Sequence, residues 1–76
     1  MFDLYILESC PYCRKVMDFL DKNNITYNKK NISDKENREQ LIRLGGYEQV
    51  PFLHDSALNI NMYESDDIIK YIESKV

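Results

Sequence analysis

Cys10-Pro11-Tyr12-Cys13 constrains this chain more than any other stretch, because it sits where an apolar run ends and an amphipathic one begins. These are the only two cysteines, and they lie three positions apart. A C-x-x-C pair either binds metal or cycles between dithiol and disulfide, so the motif alone leaves two chemistries open. Whichever applies, the fold has to deliver one sulfur from a strand and carry the other on a helix.

The flanking segments supply those elements. Phe2 to Leu7 reads as a strand, and the unbroken Leu4-Tyr5-Ile6-Leu7 predicts a central parallel strand covered on both faces. From Pro11 onward, Cys13, Val16, Met17 and Leu20 fall at i, i+3, i+4 and i+7, the pattern of an amphipathic helix with proline at its start. Asn23-Asn24 ends it. Ile25 to Ile32 reads as a second strand with little to bury, which suits an edge.

Ser33-Asp34-Lys35-Glu36 has the S-x-x-E spacing of a capping box, predicting a second helix from about Asp34 to Leu44, stopped by Gly45-Gly46. Val50 to His54 and Leu58 to Met62 read as two short strands around an Asp55-Ser56 turn. Ser65 is placed to cap a last helix through roughly Lys75, with Asp66 and Asp67 in its first turn. Ile68, Ile69, Ile72 and Val76 are then expected toward the core. The order is βαβαββα, in which the first strand-helix-strand implies a right-handed parallel crossover and the hairpin adds antiparallel strands. The expected class is three-layer α/β.

A sulfur at the start of a helix lies near unpaired backbone N–H groups and the positive end of the helix dipole, so thiolate is favoured at Cys10. Cys13, one turn in and on the apolar face, is expected to be more buried and suited to attacking a mixed disulfide formed at Cys10. Arg14 and Lys15 add positive charge nearby. A zinc site needs about four ligands, whereas the chain offers two cysteines and the lone His54. The residues favour redox chemistry; a cluster shared between two chains is the competing arrangement.

Composition narrows the partners. A chain of 76 residues is one small domain, 1–76, with room for a single core. Its formal charge of −3 and scattered basic residues argue against nucleic acid or an anionic membrane as partner. Low cysteine usage, no cleavable apolar leader and no run long enough to span a bilayer make a cytoplasmic setting the expectation.

Taken together, Cys10-Pro11-Tyr12-Cys13 after a strand, Val50-Pro51 before a hairpin and Ser65-Asp66-Asp67 opening the last helix resemble a dithiol glutaredoxin. Tyr63-Glu64-Ser65 followed by Ile68 and Tyr71 is similar to the E-S-x-x-I segment of glutathione-transferase N-terminal domains and of the glutaredoxins related to them. The resemblance implies a thioredoxin-like fold with a four-stranded mixed sheet flanked by helices. It also implies a glutathione-dependent thiol-disulfide oxidoreductase that reduces protein disulfides and glutathionylated proteins, with no metal. Cys10 is then the nucleophile and Cys13 the resolving thiol. Pro51 is implied to be a cis-proline beside the dithiol, and Val50 to pair through its backbone with the cysteinyl part of glutathione. Ser65 and Asp66 match the positions that hold the γ-glutamyl end, and Tyr12 is a further contact. The implied partners are glutathione and disulfide-bearing proteins, with glutathione reductase acting indirectly on a monomer. A redoxin reduced by thioredoxin reductase and a glutathione or iron-sulfur binding module are the alternatives.

Two departures from the family pattern bear on the site. Many glutaredoxins carry lysine three positions before the first cysteine, where this chain has Leu7 followed by Glu8. Arg14, Lys15, Arg38 and Gln40 are the candidates to replace it, with Arg38 and Gln40 on the second helix the better placed. The usual Gly-Gly before the final acidic pair is replaced by Tyr63-Glu64, which makes Glu64 a further candidate contact. His54, Tyr47, Tyr63 and Tyr71 read as scaffold.

Overall fold

The computed structural model describes all residues, Met1–Val76. The elements run β1 (Phe2–Ile6), α1 (Pro11–Lys22), β2 (Tyr27–Asn31), α2 (Lys35–Gly45), β3 (Phe52–Asp55), β4 (Ile60–Tyr63) and α3 (Ser65–Glu73), the expected βαβαββα order. They build one four-stranded sheet, β2-β1-β3-β4. β1 pairs with β2 in parallel and with β3 antiparallel, and β3 pairs with β4 antiparallel.

The core divides by face, as alternation along β1 requires. Leu4 and Ile6 point to one side, where they join Leu53 under α1 and α3 through Cys13, Val16, Met17, Leu20, Ile68 and Ile72. Tyr5 points to the other side and packs with Phe52, Ile32 and Leu41 of α2. β1 is therefore central and covered on both faces, while the polar β2 lies at an edge. All four residues of the expected α1 stripe are buried.

Local signals were displaced by a residue or more in several places. Ser33 does not cap α2: its hydroxyl donates to Asn31 Oδ1 at 2.8 Å, closing a turn at the end of β2. The cap is Asp34, whose Oδ1 accepts from the Glu36 N–H at 3.0 Å. Gly45 belongs to the helix, and Gly46, at φ 98°, is the left-handed stop. Val50 and Pro51 precede β3 instead of opening it, and the hairpin turn takes residues 56–59, so Leu58 and Asn59 are turn residues. Ser65 is the first residue of α3; the cap position is Glu64 at φ 72°, with no side-chain capping bond. Val76 lies beyond the helix and is 74% exposed, so it takes no part in the core.

Candidate dithiol site

Cys10 occupies the N-cap of α1, with extended backbone, and its Sγ accepts from the Cys13 N–H at 3.4 Å. That bond uses one of the N–H groups a helix leaves unpaired in its first turn, and it fixes the sulfur over the helix terminus. Pro11 follows at N1, where a missing N–H costs nothing. Cys10 is half-buried and Cys13 is fully buried; neither forms a disulfide here. Burial, together with its hydrogen bond to Cys10, pushes the Cys13 thiol up to about 12. Cys13 is therefore held as a neutral thiol behind the half-exposed sulfur of Cys10.

Beside the dithiol lies a cavity of about 420 Å³, lined by Tyr12, Gln49, Val50, Pro51, Glu64, Ser65 and Asp66. Three segments remote in sequence meet there: the start of α1, the approach to β3 and the start of α3. The Val50-Pro51 peptide is cis. Tyr12 is 65% exposed and is the motif's contribution to the wall; the cysteines themselves are not among the lining residues.

The floor of this cavity includes a bare helix terminus. With Glu64 making no capping bond, the N–H groups of Ser65, Asp66 and Asp67 are left open at the positive end of α3, a setting that suits a carboxylate. Glu64, also in the cavity wall, accepts from Gln49 Nε2 at 3.3 Å, linking the β3 approach to α3. Asp66 accepts from Lys15 Nζ at 2.6 Å, and chiefly for that reason its carboxyl lies below the usual range.

Of the residues singled out from the sequence, Tyr12, Val50, Pro51, Ser65, Asp66 and Glu64 come together here. Arg38 and Gln40 do not. Arg38 donates to the Ile32 carbonyl at 3.3 Å and approaches Glu48 at 4.0 Å. Gln40 accepts from the Tyr5 hydroxyl at 3.1 Å and lines a separate cavity with Asp3, Lys30, Arg43 and His54. Neither basic neighbour of the motif is left free beside the sulfur: Lys15 goes to Asp66, and Arg14 Nε donates to the Glu8 carbonyl at 3.3 Å. Glu8 is paired with Lys29 at 3.3 Å. Gln49 was missed from sequence; its position directly before Val50-Pro51 was the available signal. His54 is tied to Asn61 of β4 at 2.6 Å, a scaffold contact. No group of three or more potential metal ligands lies together.

Comparison with known proteins gives the family and the fold. The family profile of the glutathione S-transferase N-terminal domain matches residues 4–76. Glutaredoxin 1 of Rickettsia prowazekii is 41% identical over 51 residues, covering 63% of this chain and 54% of that protein. The chain thus spans about half the length of the Rickettsia glutaredoxin 1 proteins it matches. The crystal structure of glutaredoxin 2 from Salmonella typhimurium in complex with glutathione superposes with a TM-score of 0.79 at 26% identity, covering 95% of this chain and 32% of that one. A thioredoxin-like protein of known crystal structure superposes over the full length of both chains with a TM-score of 0.83 at 19% identity. The fold is thioredoxin-like. The chain belongs to the glutathione S-transferase N-terminal domain family, in its glutaredoxin branch.

Proposed function

We propose that the chain is a glutathione-dependent oxidoreductase that reduces protein disulfides and glutathionylated proteins through Cys10 and Cys13. The observation that carries this reading is the meeting of a helix-capping cysteine with a cavity whose polar end is a bare helix terminus bearing Ser65 and Asp66. The α3 terminus and Ser65 hydroxyl suit the γ-glutamyl carboxylate, Asp66 its ammonium group, and the Val50 backbone the cysteinyl peptide. Cytoplasmic residence and a monomeric state fit this role.

In the cycle, the Cys10 thiolate attacks a substrate disulfide, forming a mixed disulfide and expelling a thiolate. For a protein disulfide, Cys13 then attacks the Cys10 sulfur. Its proton goes to the departing substrate thiolate, and the Cys10–Cys13 disulfide remains. One glutathione thiolate reopens that disulfide at Cys10, with Cys13 taking back a proton. A second attacks the bound glutathione sulfur and leaves as oxidised glutathione, so two glutathiones supply the two electrons. A glutathionylated substrate needs only Cys10 and one further glutathione.

The test is reduction of a model glutathione mixed disulfide, with glutathione and glutathione reductase as one reducing system and thioredoxin reductase as the other. Turnover is expected with the first. Turnover with thioredoxin reductase alone would overturn the donor assignment.

A further inference from the structure

Lys15 and Asp66 are 51 positions apart, yet Lys15 Nζ lies 2.6 Å from Asp66 Oδ1. This is the one side-chain hydrogen bond that joins α1 to α3, and its acceptor, Asp66, lines the cavity beside the dithiol. Both side chains are largely in solvent, 54% and 81% exposed, so the pair is not a buried structural element. The same Asp66 is the carboxylate placed to receive the ammonium group of a ligand. We propose that Lys15 is a specificity-determining residue of this site: it is the resident cation on Asp66, and a ligand ammonium group binds there only by displacing it. The inference rests on the reading of the cavity as a glutathione site and adds a competitor built into the chain.

The physical argument is one of occupancy. A ligand that needs Asp66 free binds with an apparent dissociation constant equal to the intrinsic one divided by the free fraction. An exposed ion pair is weak, so Lys15 holds Asp66 most of the time without locking it, and a ligand cation can exchange with it. Its removal should tighten binding by only about two- to five-fold, the equilibrium range of such pairs. The ligand carboxylate does not depend on Lys15, because the open N–H groups of α3 and Ser65 already face it. The penalty from Lys15 therefore falls on the amine alone, and disfavours peptide thiols whose amine binds Asp66 no better than lysine does.

The experiment measures dissociation constants for two unreactive probes, S-methylglutathione and its analogue with hydrogen in place of the γ-glutamyl amine, on the full chain and on Lys15→Met and Lys15→Arg. Lys15→Met is expected to bind S-methylglutathione about two- to five-fold more tightly than wild type and the amine-free analogue unchanged. Lys15→Arg, which keeps a cation over Asp66, should match wild type for both. A merely structural role would shift both probes together. If wild type binds S-methylglutathione and Lys15→Met binds it equally or more weakly, the inference is overturned while the glutathione reading stands. If wild type binds neither probe, that reading fails and the inference falls with it.

Discussion

At the scale of single residues, the asymmetry of the dithiol follows from where one helix begins. Cys10 caps α1 and is half-buried, while Cys13, three positions on, turns onto the apolar stripe with Val16 and Met17 and loses all contact with solvent. A thiol pushed up to about 12 is a poor rival for the first attack. The burial of Cys13 was legible in the sequence, since the i, i+3, i+4, i+7 pattern put it inside. The destinations of Lys15, Arg38 and Gln40 were not, because long polar side chains are placed by tertiary partners that no local spacing encodes. A second residue-level constraint lies at Gly45, the last residue of α2. A Cβ there would run into the Tyr63 hydroxyl and come within 2.7 Å of its ring Cζ and 2.9 Å of Phe52. Tyr63 is pinned by donating to the Tyr47 carbonyl at 2.6 Å and by stacking on the Tyr47 ring at 4.4 Å. Gly45→Ala should therefore destabilise the fold by about 1–3 kcal/mol, the cost of overpacking, although alanine is the better helix former. Urea unfolding checks this; an unchanged or raised midpoint would show that Tyr63 yields freely.

The elements were readable where hydrophobic period decides and misread where capping and turn chemistry decide. α1 and the central β1 followed from their apolar runs and stripes, and the edge position of β2 from its lack of one. The ends of α2 and α3 did not, because Ser, Asp and Asn side chains compete for the same backbone groups within two or three residues. Ser33 had the spacing for a cap and lost to Asp34 when Asn31 captured it. At α3 the expected cap, Ser65, is drawn inside the helix and is 8% exposed, and Glu64 turns the chain at positive φ without capping it. The result is an open helix terminus facing the cavity, which a serine cap would have closed. The α2 assignment is testable by thermal or urea unfolding. Asp34→Ala should cost about 1 kcal/mol, and Ser33→Ala, on an exposed turn, no more than about 0.5 kcal/mol. The reverse order would restore the capping box read from the sequence.

Across the whole molecule, two helices on one face of the sheet and one on the other leave the functional edge where α1, the β3 approach and α3 converge. The opposite end is tied by a different pair. Tyr71 of α3 donates to Asp55 Oδ2 at 2.6 Å, and Asp55 Oδ1 accepts from the Ala57 N–H at 3.1 Å, closing the β3–β4 turn under the last helix. The Tyr71 hydroxyl holds the buried Asp55 carboxyl below its ordinary 3.8, and Asp55 in turn pushes Tyr71 up to about 12. A lowered carboxyl contributes stability that is full above about pH 4 and is lost as pH falls through its folded value. A raised tyrosine contributes stability that is full below about pH 10 and is lost as pH rises toward 12. Tyr71→Phe should therefore be less stable than wild type at neutral pH, with the gap closing on both sides of that window. A gap independent of pH in urea unfolding between pH 3 and 7 would mean that the ring's packing on Phe2, not its hydroxyl, holds α3 in place.

The central claim, an ordered dithiol served by glutathione, meets its most direct test in one assay: glutathione-coupled reduction of a glutathione mixed disulfide by wild type, Cys10→Ser and Cys13→Ser. Cys10→Ser should be inactive and Cys13→Ser should retain turnover, since only the capping sulfur is needed for this substrate. Equal loss in both variants, or activity that survives in Cys10→Ser, would contradict the account.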